Sequence, residues 1–165
     1  SRPIRHGVTF VEIEVGGAWY NTEVSLLGVE ELFGLTLTTN STNPGSEEQA
    51  SLVSKDEAWL VPEFDDCWEW CETVTFGLLV DMVRGCCTFY LNEQRGPCVK
   101  LPGDLWRRHG VQIAIEDFPC NVSDTPPCVL TCSSFVPERE LRDPRLHEPK
   151  TIAEHHASGV LQYYV

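Results

Sequence analysis

Residues 73–92 read TVTFGLLVDMVRGCCTFYLN, and this stretch decides the fold. Hydrophobic side chains alternate with smaller or polar ones over residues 74–82, a period of two that is typical of a strand with one buried face. The alternation resumes over residues 87–91, and between the two segments Gly85 can adopt the positive φ of a tight turn. The sequence therefore predicts a β-hairpin, whose apolar face needs a second layer to cover it.

Further short strands are predicted on both sides of this hairpin. Residues 8–15 alternate in hydrophobicity and end at a Gly-Gly pair, which indicates a strand followed by a turn. The other predicted strands cover residues 19–27, 35–39, 98–101, 111–115 and 128–135, and a turn covers residues 93–97. We therefore predict an all-β fold in which two antiparallel sheets pack face to face as a β-sandwich or jelly roll.

The composition changes after residue 136. The segment ERELRDPRLHEPK is charged, has little apolar periodicity and contains two prolines. We predict a β-sandwich over residues 1–136 and a carboxy-terminal arm or tail over residues 137–165 that packs on the sandwich. The final AEHHASGVLQYYV regains apolar residues and predicts a strand that packs back beside the amino terminus.

The charge of the chain limits the classes of partner. Its 165 residues include 25 acidic and 12 basic side chains, for a formal net charge of -13. Such a field repels phosphate backbones and anionic lipids, so we predict neither a nucleic-acid nor a membrane partner, and we favour a basic or amide-rich protein or peptide. No apolar run reaches the roughly 18 residues of a membrane helix, and no signal-peptide pattern is seen. We expect a cytoplasmic protein, with secretion as the alternative; the oligomeric state is not predicted.

The cysteines allow two interpretations. The chain contains Cys67, Cys71, Cys86, Cys87, Cys98, Cys120, Cys128 and Cys132. An even number permits a disulfide framework, but a domain of this length can bury a core without one, and we predict reduced thiols. The triplets at residues 40–42 (NST) and 121–123 (NVS) match the N-glycosylation pattern and favour the oxidised, secreted alternative.

Residues 56–72 combine acids with aromatic rings. Seven acidic residues occur there without a lysine or arginine, interleaved with Trp59, Phe64, Trp68 and Trp70. Large rings beside unpaired carboxylates are typical of a recognition loop for a basic or amide-rich peptide. The alternative is that Trp68 and Trp70 lie on one face of a strand, with the acids solvated on the other.

The sequence favours binding over catalysis. It contains no Gly-x-Ser-x-Gly elbow, phosphate-binding loop or dinucleotide fingerprint. The candidate metal ligands are Cys67/Cys71, Cys128/Cys132 and the adjacent histidines at 155–156. A three-residue gap on a strand separates two thiols too widely for one zinc ion, so no metal or other cofactor is predicted. An enzyme whose site is assembled from distant residues is the remaining alternative.

The central hairpin also resembles the signature of SPRY (B30.2-like) domains. In that signature a strand ends in glycine, three hydrophobic residues and aspartate, a short turn contains glycine, and the next strand reads Thr-Phe-Tyr-Leu-Asn. Here these features are residues 77–81, Gly85 and residues 88–92. The resemblance extends to residues 6–15, 105–106 and 111–115.

The resemblance implies a protein-interaction module whose end loops bind a short peptide or a folded partner. In this family the module often acts as the substrate-recognition part of a ubiquitin ligase or as a scaffold subunit. No RING-type cysteine and histidine series is present, so ligase activity would come from another chain or region. The predicted partner-binding residues are Trp59, Asp65, Asp66, Trp68, Trp70, Trp106 and Arg107. An aromatic anchor would fill a pocket while the carboxylates accept hydrogen bonds from the partner.

A secreted carbohydrate-binding jelly roll is the rival interpretation. In such a protein the aromatic rings stack on sugar faces and the cysteines are bridged. The two interpretations differ in the state of the thiols, which are free in the intracellular module and absent in the bridged lectin.

Overall fold

The computed structural model describes residues 3–16, 21–28, 34–40, 49–54, 57–64, 73–118, 129–131 and 148–163. Within these residues most of the chain forms β-strands in antiparallel sheets, which confirms the all-β prediction. In chain order the strands are β1 (Val8–Gly16), β2 (Asn21–Gly28), β3 (Gly34–Asn40), β4 (Gln49–Ser54), β5 (Glu57–Leu60), β6 (Thr73–Asp81), β7 (Cys86–Leu91), β8 (Gln94–Lys100), β9 (Val111–Phe118), β10 (Val129–Thr131) and β11 (Gln162–Tyr163).

These strands form two sheets. The first has the spatial order β10-β1-β6-β7-β8, and the second has the order β11-β5-β4-β3-β2-β9. The described helices are short: a 3-10 helix at Pro62–Phe64, α1 at Leu105–His109 and α2 at Ile152–Ala157.

The predicted central hairpin is present as β6 and β7. Its register pairs Asp81 with Cys86, and the Oδ1 atom of Asp81 accepts hydrogen bonds from the backbone N–H groups of Val83 and Arg84, each at 2.9 Å. Gly85 closes the turn with a φ of +68°. The alternation in residues 73–92 therefore identified both strands and the residue that joins them.

One hydrophobic cluster combines side chains from both sheets. Its members from the first sheet include Ile13, Phe76, Leu78, Phe89 and Leu91, and those from the second include Val24, Leu26, Leu52, Trp59 and Val111. A second, smaller cluster contains Phe10, Leu79 and Tyr90, whose aromatic rings meet edge to face with centroids 5.6 Å apart. All six residues of β7 are buried, so neither face of this strand contacts bulk solvent.

The start of β8 differs from the sequence-based expectation. A turn was expected over residues 93–97, but β8 begins at Gln94, which pairs with Leu91. Asn92 and Glu93 have φ values of 45° and 67°, and two consecutive positive φ angles are the requirement of a two-residue type I′ hairpin loop. The prediction was wrong because Gly96 and Pro97 were taken as turn residues, whereas both lie within the strand.

Residues 148–163 return to the first sheet and then to the second. The backbone of Lys150 bridges to Val99 of β8, α2 follows, and β11 pairs with β5. The expected position of the last strand beside the amino terminus was therefore wrong. Leu161 is 1% exposed in the main hydrophobic cluster, and its burial draws the chain towards β5. Residues 137–147 of the predicted arm lie outside the described residues.

We predict that Gly85→Ala destabilises the protein more than Gly103→Ala. Both glycines have positive φ, which costs an alanine about 1–2 kcal/mol. A Cβ at Gly85 would also lie 2.3 Å from the Trp106 ring, whereas one at Gly103 meets open space. Overpacking adds about 1–3 kcal/mol at Gly85 alone. Urea unfolding of both variants measures the difference, and equal losses would show that Trp106 does not hold this turn.

A second prediction concerns the start of α2. The hydroxyl of Thr151 accepts from the N–H of Glu154, and the Glu154 carboxylate accepts from the N–H of Thr151, which forms a capping box. Thr151→Ala should cost about 1 kcal/mol locally and accelerate amide hydrogen exchange in α2 about fivefold. Thr151→Ser keeps the hydroxyl and serves as the control. Equal exchange in wild type and Thr151→Ala would show that the cap is not needed.

Candidate functional site

The edge strand β8 builds one wall of the candidate site. Gly96 has no side chain, and a Cβ there would lie 2.6 Å from the Cζ atom of Phe64. The ring of Phe64 therefore packs directly on the backbone of β8, with 1% of the residue exposed. Because Phe64 ends the 3-10 helix, this contact brings the preceding Glu63 to the same wall.

The arm builds the opposite wall. The backbone N–H of Lys150 donates to the carbonyl of Cys98 at 3.1 Å, and the N–H of Lys100 donates to the carbonyl of Lys150 at 2.8 Å. These two bonds pair the arm with the outer edge of β8, so the main-chain groups of a sheet edge are satisfied by the chain itself. Helix α2 then follows immediately and packs against β8.

His155 connects α2 to β8. Its Nε2 atom lies 2.7 Å from the carbonyl oxygen of Cys98, and because a carbonyl only accepts, Nε2 carries the hydrogen. The residue is 6% exposed, and its Nδ1 atom is buried with no hydrogen-bond partner among the described residues. An unsatisfied buried polar atom costs about 1–3 kcal/mol.

Between these walls lies a pocket of about 280 Å³, which we call the β8 pocket. Its lining residues are Glu63, Arg95, Gly96, Pro97, Cys98, Glu148, Lys150, His155 and Val160. The volume is near the lower end of the range of about 300–1,000 Å³ found for ligand pockets. The space fits one or two side chains rather than a large cofactor.

The lining of the β8 pocket contains both signs of charge. Arg95 and Lys150 are the cations, and Glu63 and Glu148 are the carboxylates. The Nη1 atom of Arg95 donates to the carbonyl of Gly96 at 3.1 Å, which holds the guanidinium group against β8. Donors and acceptors in one small space match a ligand group that itself both donates and accepts, such as an amide.

Trp59, predicted to contact a partner, lies inside the protein. It sits on β5 with 4% exposed, and its ring stacks on Tyr163 with centroids 4.4 Å apart and planes 29° apart. The His156 ring completes the cluster, 4.9 Å from Trp59. Tyr163 is 55% exposed, so this partner of Trp59, rather than Trp59 itself, presents an aromatic surface to solvent.

Trp106 is also buried, with 6% exposed. Its indole Nε1 donates to the carbonyl of Gly103 at 2.8 Å, and its ring fills the space left by Gly85. The neighbouring Arg107 is exposed and covers the ring, with its guanidinium carbon 4.9 Å from the ring centroid. It also lies 3.6 Å from a carboxylate oxygen of Asp104, an exposed ion pair of little energetic weight.

The structure does not bring the predicted site residues into one surface. Trp106 and Arg107 belong to α1, which packs against β2, and β2 is separated from β5 and Trp59 by β3 and β4. At about 4.8 Å per strand, β2 and β5 are roughly 14 Å apart. The other predicted residues, Asp65, Asp66, Trp68 and Trp70, lie outside the described residues.

No cluster of three or more histidine, cysteine or carboxylate side chains occurs within the described residues, and Cys67, Cys71, Cys128 and Cys132 lie outside them. Cys86, Cys87 and Cys98 are free thiols. In the part of the chain that the structure describes, every helix is too short to cross a bilayer.

Sequence reasoning missed the β8 pocket because its residues are distant in the chain. Glu63, Arg95 and His155 come from three separate segments, and no local pattern links them. One signal was present: Thr151-x-x-Glu154 is a capping-box pattern, which marks the start of a helix and so places His155 one turn inside it.

With this geometry established, the chain was compared with known proteins. No protein-family model matches it, and no significant match was found among curated proteins or among solved structures.

Proposed function

We propose that the chain is a non-catalytic protein-interaction module that binds a short peptide segment of another protein in the β8 pocket. The observation that carries the proposal is the mixed lining of this preformed pocket, in which two cations, two carboxylates and His155 surround about 280 Å³. Preformed sites bind with a smaller loss of conformational entropy than sites that must be ordered on binding.

The chemistry of the lining favours an amide-rich ligand. A peptide or side-chain amide carries a carbonyl that Arg95 or Lys150 can bind and an N–H that Glu63 or Glu148 can accept. The net charge of -13 favours a basic residue next to that amide.

The acidic aromatic segment belongs to this proposal as well. In the sequence, Asp65 and Asp66 directly follow Phe64, whose ring packs on β8. Asp65, Asp66, Trp68 and Trp70 lie outside the described residues, and their contact with the partner stays a prediction from the sequence. In this proposal Trp59 and Trp106 stabilise the fold as core residues, and Arg107 does not contact the peptide.

The proposed architecture behind this site is a SPRY-like β-sandwich. Supporting it are the two sheets that share one hydrophobic cluster and the confirmed β6–β7 hairpin, on which the resemblance to SPRY domains is based. In this proposal the chain serves as the substrate-recognition or scaffold part of a larger assembly, such as a ubiquitin ligase.

The described thiols support an intracellular compartment. Cys86, Cys87 and Cys98 are buried and free, and buried free thiols are typical of proteins in reducing compartments. We therefore propose a cytoplasmic location, and the same observation is the reason to favour the interaction module over a bridged carbohydrate-binding jelly roll.

We predict that reversing a charge in the β8 pocket abolishes peptide binding without unfolding the protein. Peptides are first selected from a random phage-displayed library on the purified chain, and the affinity of the best one is then measured by fluorescence anisotropy. Lys150→Glu and Glu148→Lys should each weaken binding about tenfold or more, since each leaves one ligand group facing a like charge. The melting temperature should change little, because neither side chain is buried.

The matched control is Arg108→Glu, the same kind of charge reversal at an exposed position of α1. It should leave the affinity within about twofold, because Arg108 is exposed and does not line the pocket. If Arg108→Glu and Lys150→Glu weakened peptide binding equally, the loss of affinity would come from the net charge of the chain. That result would overturn the assignment of the pocket as the binding site. A library with no enriched peptide would overturn the proposed function itself.

A further inference from the structure

Two thiols share one face of the β7–β8 ribbon. The register pairs Thr88 directly with Cys98, and Cys86 lies two residues before Thr88 on the same strand. Because side chains alternate along a strand, Cys86, Thr88 and Cys98 point to the same side of the sheet. Cys87 points to the opposite side and belongs to the main hydrophobic cluster.

Donors and positive charges surround the sulfur of Cys98. The thiol of Cys86 and the hydroxyl of Thr88 lie on the same face beside it, and the guanidinium groups of Arg95 and Arg84 act on it electrostatically. The Nη2 atom of Arg95 lies 3.5 Å from the hydroxyl of Thr88, so this cation is held close to the pair. Such surroundings stabilise a thiolate.

The two thiols consequently differ in acidity. The hydrogen bond from Cys86, followed by the one from Thr88, outweighs burial and lowers the pKa of Cys98 to about 6. The same bond to Cys98, together with burial, raises the pKa of Cys86, and burial raises the pKa of Cys87. These surroundings therefore favour the thiolate at Cys98 and the protonated thiol at Cys86.

The β8 pocket gives Cys98 a route to solvent. Cys86 and Cys98 are only 2% and 4% exposed, but Cys98 is one of the residues that line the pocket. A small reagent such as a peroxide fits within about 280 Å³. Cys87, in the core and outside the lining, has no such route.

We propose that Cys98 is a redox modification site, which reacts with hydrogen peroxide through the β8 pocket and is then joined to Cys86 by a reversible cross-strand disulfide. The proposal stands on the register that puts Cys86 and Cys98 on one face and on the pocket lining, and it does not depend on the proposed peptide binding.

The reaction has two balanced steps. The Cys98 thiolate attacks one oxygen of hydrogen peroxide, so that an S–O bond forms, the O–O bond breaks, and the leaving hydroxide takes a proton from solvent to become water. The sulfur of Cys86 then attacks the sulfenic acid at Cys98, the S–S bond forms, the S–O bond breaks, and the departing oxygen leaves as water with the Cys86 proton. In total two thiols are oxidised and one peroxide is reduced to two waters.

The geometry makes this disulfide easy to reduce. Cys86 pairs with Lys100, so Cys98 is its diagonal neighbour, and diagonal Cα atoms on paired strands are about 7–8 Å apart. Disulfides usually join Cα atoms about 4.4–6.8 Å apart, so β7 and β8 must approach one another and the bond is strained. Strained disulfides have high reduction potentials, which is typical of labile and regulatory bonds.

The sequence allows a direct test on the intact, folded chain. Trypsin cuts after Arg84, Arg95 and Lys100, which places Cys86 and Cys87 in the peptide of residues 85–95 and Cys98 in the peptide of residues 96–100. After mild peroxide treatment and alkylation, mass spectrometry should find these two peptides joined, with the loss of two hydrogens. Dithiothreitol should reverse the link. Fragmentation, or the variant Cys87→Ala, assigns the bond to Cys86.

Alkylation of the reduced protein by iodoacetamide provides a second readout. At pH 6 Cys98 should react about tenfold faster than Cys87, because its larger thiolate fraction outweighs its lower intrinsic nucleophilicity. Its rate should follow a titration midpoint near pH 6, and Cys86→Ala or Thr88→Val should move that midpoint upwards by removing a donor. Cys86→Ser should stop the reaction at a sulfenic acid that dimedone traps.

Three results would overturn the proposal. The first is a Cys98 that is alkylated no faster than Cys87, and the second is a pH midpoint near that of an ordinary thiol. The third is peroxide-driven pairing of Cys98 with a cysteine other than Cys86. All three are read on the wild-type chain, so they do not depend on whether any variant folds.

Discussion

The burial of β7 on both faces and its pairing on both edges constrain the rest of the first sheet. A strand in that position cannot carry an ionised side chain without a partner, and its sequence CCTFYL contains none that is charged at neutral pH. Its polar atoms must instead find partners on β6 or β8. The contact between Cys86, Thr88 and Cys98 follows from that requirement, as does the need for β8 to fit closely beside its neighbour.

Residues 73–92 carry a local signal that predicts structure well, because their hydrophobic period, Asp81 and Gly85 all favour the same hairpin. The loop between β7 and β8 could not be predicted in the same way. Asn92 and Glu93 both adopt positive φ, and glutamate has no intrinsic preference for that region, so the surrounding pairs of β7 and β8 impose the conformation. Gly96 and Pro97 look like turn residues in the sequence, yet Gly96 allows the close approach of Phe64, and Pro97 lies where the register of β7 and β8 shifts.

The tryptophans show why the candidate site could not be predicted from the residue types alone. Acidic neighbours suggested exposed rings, but alternation on β5 directs Trp59 into the core, and Gly85 leaves a space that only a large flat ring such as that of Trp106 fills. The residues that line the β8 pocket have no shared periodicity. They meet because the arm returns to β8 after some fifty intervening residues, a tertiary event driven by the burial of Leu161 and His155 rather than by any local preference.

Cys98 is the point at which these features combine. Its carbonyl oxygen accepts from the N–H of Lys150 and lies 2.7 Å from Nε2 of His155, so the main chain at this residue holds the arm in place. Its side chain lies on the face shared with Cys86, and the residue also lines the β8 pocket. Oxidation that draws β8 towards β7 would shift the main chain at Cys98 and so act on the hydrogen bonds that anchor the arm. Thiol chemistry at Cys98 is therefore coupled to the shape of the pocket that the same residue lines.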